Sequence, residues 1–191
     1  MKKSFGPRTL VYPVPVWAVG TYDKEGRPDV AAVAWGGVCC SIPPCVTISL
    51  RKATLTYANI MERKAFSINV PSAGLFKEVD YFGLVSGREQ DKLCRAGLKA
   101  VRCRIADAPY IDEFPLVLEC RLLQALEIGL HTAFIGEILD VLADEDVIGE
   151  QGFPEMNKIK PVLYSPELHD YYETGALLGK AFQSGKDILQ K

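Results

Sequence analysis

Long uninterrupted apolar runs are missing from this sequence. No stretch approaches the ~18 uncharged apolar residues that a membrane helix needs, so no membrane partner is expected. Met1-Lys2-Lys3 begins like the basic end of a secretion signal, but Pro7, Arg8, Pro13 and Pro15 break the apolar run after it. No apolar signal core forms, and a cytoplasmic protein is expected. Charge of one sign is not in excess either: 22 Lys and Arg stand against 24 Asp and Glu, a net charge of −2. That balance gives no electrostatic reason to expect nucleic acid as a partner.

Several motifs are absent. Histidine occurs twice, as His131 and His169, and neither has a second ligand at metal-binding spacing. Six cysteines are present (Cys39, Cys40, Cys45, Cys94, Cys103 and Cys120), but no C-x-x-C. Their spacing fits no common zinc or iron–sulfur pattern, so no metal is expected. Most lie in apolar runs, where a free thiol packs as a small hydrophobe. A disulfide framework does not suit a cytosolic chain of this size. There is no G-x-x-x-x-G-K-[ST] phosphate loop, no G-x-S-x-G nucleophile elbow and no internal repeat.

What remains is the composition of a soluble globular protein, 48% hydrophobic and 24% charged over 191 residues. The length suits a single domain over 1–191, with a C-terminal extension from about residue 165. Short β-rich runs dominate. Val14–Thr21 ends before Asp23-Lys24-Glu25-Gly26-Arg27-Pro28, which has hairpin-turn chemistry. Val30–Cys40 is apolar and small, Pro43-Pro44 interrupts, and Val46–Leu50 and Ala65–Val70 continue the pattern. Leu116–Leu126 alternates with period two, and Ala133–Leu142 comes after a turn at Gly129–Thr132. Thr54–Arg63 reads as a helix opening on threonines, and Ala73–Ala96 as helix broken at Gly83 and Gly87. The fold class is mainly β with short helices, arranged as a closed or nearly closed antiparallel barrel.

Four segments have the residues for chemistry. In Ala31–Ser41, small residues and Gly36-Gly37 leave the backbone approachable, and Trp35 supplies an aromatic wall that suits a planar heterocycle. The same residues also describe a bulged strand with a core tryptophan. In Ser49–Thr56, a strand end, Arg51, Lys52, Thr54 and Thr56 meet a helix start, and a helix N-terminus favours phosphate. A capped surface helix with solvated charges has the same pattern. Ser86–Lys92 places Gly87-Arg88 ahead of Asp91-Lys92 and reads as a helix break with a charge run. Lys92 matters only if it faces a ligand set by the first two segments. The fourth segment is His131–Glu137, with a histidine at a turn.

Taken together and in order, these segments resemble the flavin reductase-like proteins with an FMN-binding split β-barrel, most closely their flavoredoxin branch. The resemblance rests on Pro13–Trp17, Ala34–Gly37 with Ser41–Pro44, Ser49–Thr56 and Phe66–Pro71. It continues through Ser86–Arg88 with Asp91-Lys92, His131-Thr132 with Gly136-Glu137, Pro161–Tyr164, Tyr171-Tyr172 and Gly179–Phe182. It implies a homodimer with non-covalent FMN near the subunit interface. Ala32, Val33, Ala34, Trp35, Cys40 and Ser41 would line the ring. Ser49, Arg51, Lys52, Thr54 and Thr56 would hold the ribityl-phosphate, with Lys92, His131 and Tyr164 around the flavin. Relatives often have a hydroxyl before the tryptophan, where this chain has Ala31-Ala32-Val33-Ala34.

The resemblance implies electron transfer through FMN, fed by a redox partner protein or by NAD(P)H. A cation near the ring, Lys92 or His131, would favour its anionic reduced form. The alternatives are an NAD(P)H-dependent flavin or ferric-chelate reductase, and a non-redox binding module. The apolar tail, with Leu177, Leu178, Phe182, Ile188 and Leu189, is expected to pack across the barrel or onto a second subunit.

Overall fold

Alternation of buried and outward residues builds one large antiparallel sheet. The computed structural model describes residues 1–189. Its strands are β1 (Val14–Pro15), β2 (Trp17–Tyr22), β3 (Pro28–Val33), β4 (Gly36–Ser41), β5 (Pro44–Arg51) and β6 (Ala65–Val70). They continue as β7 (Ala100–Arg102), β8 (Pro109–Ile111), β9 (Leu116–Ile128), β10 (His131–Ala143), β11 (Val162–Ser165) and β12 (Asp170–Glu173). The helices are α1 (Leu55–Arg63), α2 (Phe76–Leu84), α3 (Lys92–Ala96) and α4 (Met156–Ile159). Seven strands form the main sheet in the order β3-β2-β6-β9-β10-β5-β4, flanked by a β1-β11-β12 sheet and a β7-β8 pair.

The core lies on both sides of this sheet. Val19, Ile48, Phe66, Ile68 and Phe134 are fully buried in one cluster. Ala18, Val79, Phe82, Ile111 and Phe114 form a second under α2 and α3. Asp23 closes the β2–β3 hairpin by accepting the Glu25 and Arg27 backbone N–H groups, each at 2.9 Å, and the Arg27 Nε at 2.8 Å. Gly26 takes the positive φ that this turn requires. Buried Glu119 accepts from the backbone of Arg104, Ile105 and Ala106, so the loop after β7 needs no secondary structure.

The structure corrects several element boundaries. The expected strand Val14–Thr21 divides at Val16, so that its first residues pair with β11 instead of continuing into β2. Val30–Cys40 divides at Ala34-Trp35, where the chain passes from one edge of the sheet to the other. Gly83 does not break α2, which runs on to Leu84. The expected extension begins with β12, which pairs with β11. Beyond it, Leu177, Leu178, Phe182, Ile188 and Leu189 are exposed and do not pack across their own barrel. Among the described residues, no helix is long and apolar enough to cross a membrane.

Candidate functional site

Strand register brings one group of the expected residues together. Val46, Ile48 and Leu50 of β5 point into the core, so Thr47, Ser49 and Arg51 face outward. In β10, His131 lies opposite Arg51 and Ala133 opposite Ser49, while Gly37 of β4 lies opposite Thr47. The result is an outward face of small side chains: Gly37, Thr47, Ser49 and Ala133. The space in front of Gly37 is open. Trp35 borders this face, because its carbonyl accepts the Ser49 N–H at 2.8 Å. Ala34 beside it is half-buried.

The cationic end is set by the turn after β5. Thr54 caps α1: its Oγ1 accepts the Tyr57 N–H at 3.1 Å and donates to the Arg51 carbonyl at 3.0 Å. The first turn of α1 carries no acidic residue. Arg51 is exposed and makes no ion pair among the described residues. Lys52 is engaged differently. Its ammonium meets Glu127 of β9 at 2.7 Å, and that partner holds its pKa above the ordinary 10.5. Both side chains are exposed, so the pair is weak and salt-sensitive.

Other expected residues stand elsewhere. Val33 is buried in the first core cluster, and Ala32 packs against the second. Cys40 and Ser41 are exposed beside the turn at the far end of the β4–β5 hairpin. They are roughly 20 Å along β5 from Arg51, at ~3.3 Å per residue. Tyr164 belongs to a separate aromatic cleft of about 400 Å³, lined with Tyr12, Leu163, Leu168 and Tyr172. It stacks with His169 at 6.3 Å and packs on Tyr171 at 5.5 Å. Burial, and then the charge of Asp80, raise the Tyr164 pKa.

Thr56 and Lys92 meet at a residue that the sequence pattern does not single out. Asp29 of β3 is buried, accepts from Thr56 Oγ1 at 2.9 Å, and lies 3.5 Å from Lys92 Nζ. Burial pushes the Asp29 pKa up against the opposing pull of Lys92, and pushes the Lys92 pKa down against Asp29. Both shifts have the direction of desolvation outweighing attraction. The only sequence signal is an acidic residue in an otherwise apolar strand, Pro28–Val33.

Against this geometry, the model of the flavin reductase like domain matches residues 8–169. The chain belongs to that family. The flavoredoxin of Desulfovibrio vulgaris (Miyazaki F) is 48% identical, with a TM-score of 0.93 over 97% of this chain and all of that one (100%). A flavoredoxin from Methanosarcina acetivorans is 31% identical, with a TM-score of 0.92 over 98% and 99% of the two chains. An FMN-binding protein from Thermus thermophilus shares the fold at 22% identity, with a TM-score of 0.79 over 94% and 98%. The split barrel of the flavin reductase-like family, of flavoredoxin type, is therefore the fold of this chain.

Proposed function

We propose that this chain is a flavoredoxin-type flavoprotein that binds FMN non-covalently and passes electrons through it. The observation that carries the reading is the adjacency of Arg51, unpaired among the described residues, the acid-free first turn of α1 and the small-sided face running from Ser49 to Gly37. A dianion fits the first two, and a planar ring fits the third. The 48% identity to a flavoredoxin supports the choice of ligand. Bound FMN would supply the redox chemistry of this reading.

In this reading, Arg51 and the first-turn N–H groups of α1 that the Thr54 cap leaves free hold the phosphate. Ser49 and the main chain around Trp35 orient the ring. His131, half-buried opposite Arg51, is the candidate hydrogen-bonding side chain beside it, because the Lys92 ammonium is committed to Asp29. A homodimer is part of the reading. Leu126, Ile128 and Leu130 at the tip of the β9–β10 hairpin are each at least half exposed, next to the proposed site. A second copy would cover them.

The visible spectrum of the purified protein tests the proposal, with anaerobic NADH and NADPH added afterwards. A yellow protein that stays oxidised until dithionite is added is the expected electron carrier. Rapid bleaching by a pyridine nucleotide makes it a flavin reductase instead. A colourless protein that takes up no FMN overturns both.

A further inference from the structure

The buried Asp29 joins β3 to α1 and α3 through polar contacts inside the protein. One carboxylate oxygen accepts from Thr56, the second residue of α1. The other faces Lys92, the first residue of α3, whose ammonium also reaches the Phe82 carbonyl in α2 at 3.4 Å. The Lys92 and Asp29 side chains are 4% and 5% exposed. Gly87 lies directly over the carboxylate, and a Cβ there would overlap Asp29 Oδ1. The turn before α3 closes onto Asp29 only because residue 87 has no side chain.

A buried ion pair is weak evidence for stability, since an apolar replacement is often as good. What it supplies here is direction. The Thr56–Asp29 bond, the Thr54 cap on Arg51 and a 3.0 Å bond from Asn59 to Thr21 tie the first turns of α1 to β2, β3 and the end of β5. Those ties set where the first-turn N–H groups point relative to Arg51. An anion gains most from donors already fixed in place.

We propose that Asp29 is a positioning residue for the phosphate end of the site. Acting through Thr56 and braced by Lys92, it fixes the N-terminus of α1 against β3. The inference rests on the FMN reading above. Riboflavin differs from FMN by the phosphate alone, so the pair of flavins separates positioning of the anion donors from general damage.

The experiment titrates FMN and riboflavin into the full chain freed of flavin, monitored by flavin fluorescence. Wild type should prefer FMN by at least about tenfold. Asp29→Asn and Thr56→Val should each weaken FMN about tenfold, equivalent to about 1.4 kcal/mol, and change riboflavin less than about twofold. Thr56→Ser, which keeps the hydroxyl, should restore FMN binding. Equal losses on both flavins, unchanged FMN binding or failure of Thr56→Ser to restore it would each overturn the proposal. Thr56→Val keeps the ion pair and decides the matter if Asp29→Asn does not fold. A wild type that binds neither flavin, or both equally, would instead remove the phosphate reading, and the positioning role with it.

Discussion

Asp23 shows how one residue ties stability to pH. Burial alone would raise its pKa, but hydrogen bonds from the Arg27 backbone and guanidinium outweigh it, and the folded value lies below the ordinary 3.8. The unfolded chain therefore binds its proton first as pH falls. The stability that Asp23 contributes is complete above the unfolded pKa and is lost as pH drops through the folded one. The gap in urea midpoint between wild type and Asp23→Asn should be widest near pH ~6 and close toward pH ~2. A gap independent of pH would refute this. The cysteines are only half readable at the same scale, since Cys39, Cys40 and Cys94 are exposed and not packed in the core. Cys103 and Cys120 are buried as small hydrophobes, and burial pushes the Cys103 pKa up to about 12. Asp29 is not readable, because its partners Thr56 and Lys92 lie far along the chain and local alternation says nothing about them.

Elements with local signals are the most legible. Thr54 as an N-cap, the turn at Asp23–Pro28 and strand β6 over Ala65–Val70 all stand where the residues place them. The cap gives a test at this scale. Thr54→Ala removes the acceptor for the Tyr57 N–H and should lower stability by about 1 kcal/mol in chemical denaturation. No change would mean that another acceptor takes over. Boundaries set by distant pairing are less legible. Val16 separates β1 from β2 because Val14 pairs with Tyr164, a partner that no local pattern announces. The break at Ala34-Trp35 has a similar origin: Ser49 donates to the Trp35 carbonyl, and Gly36 admits the Trp17 ring where a Cβ would collide with it.

For the whole molecule, apolar surfaces in two places find no cover among the described residues. One is the tip of the β9–β10 hairpin; the other is the tail with Leu177, Leu178 and Phe182. The composition of the tail marks it as too apolar to stay solvated, and two copies of the chain would satisfy both surfaces. Sedimentation should give a dimer for the full chain, and a clear shift toward monomer after truncation at residue 173. A truncated chain that stays fully dimeric would place the main contact on the hairpin alone. Of the residues proposed for the site, strand register puts Ser49, Arg51 and His131 on one face, which local patterns cannot announce, and puts Tyr164 on another sheet.

In the proposed FMN reading, the Lys52–Glu127 contact bears on how affinity responds to salt. An arriving phosphate would meet one cation unpaired among the described residues, Arg51, and one that already holds a tethered carboxylate. The protein would bring its own counter-ion, and departure of the ligand would let Glu127 reclaim the ammonium. Salt then weakens the incumbent and the newcomer together, and the two effects offset each other. FMN affinity should therefore vary only gently with ionic strength in wild type and steeply in Glu127→Gln, where Lys52 has no competitor. Equal slopes would show that the carboxylate takes no part in the exchange.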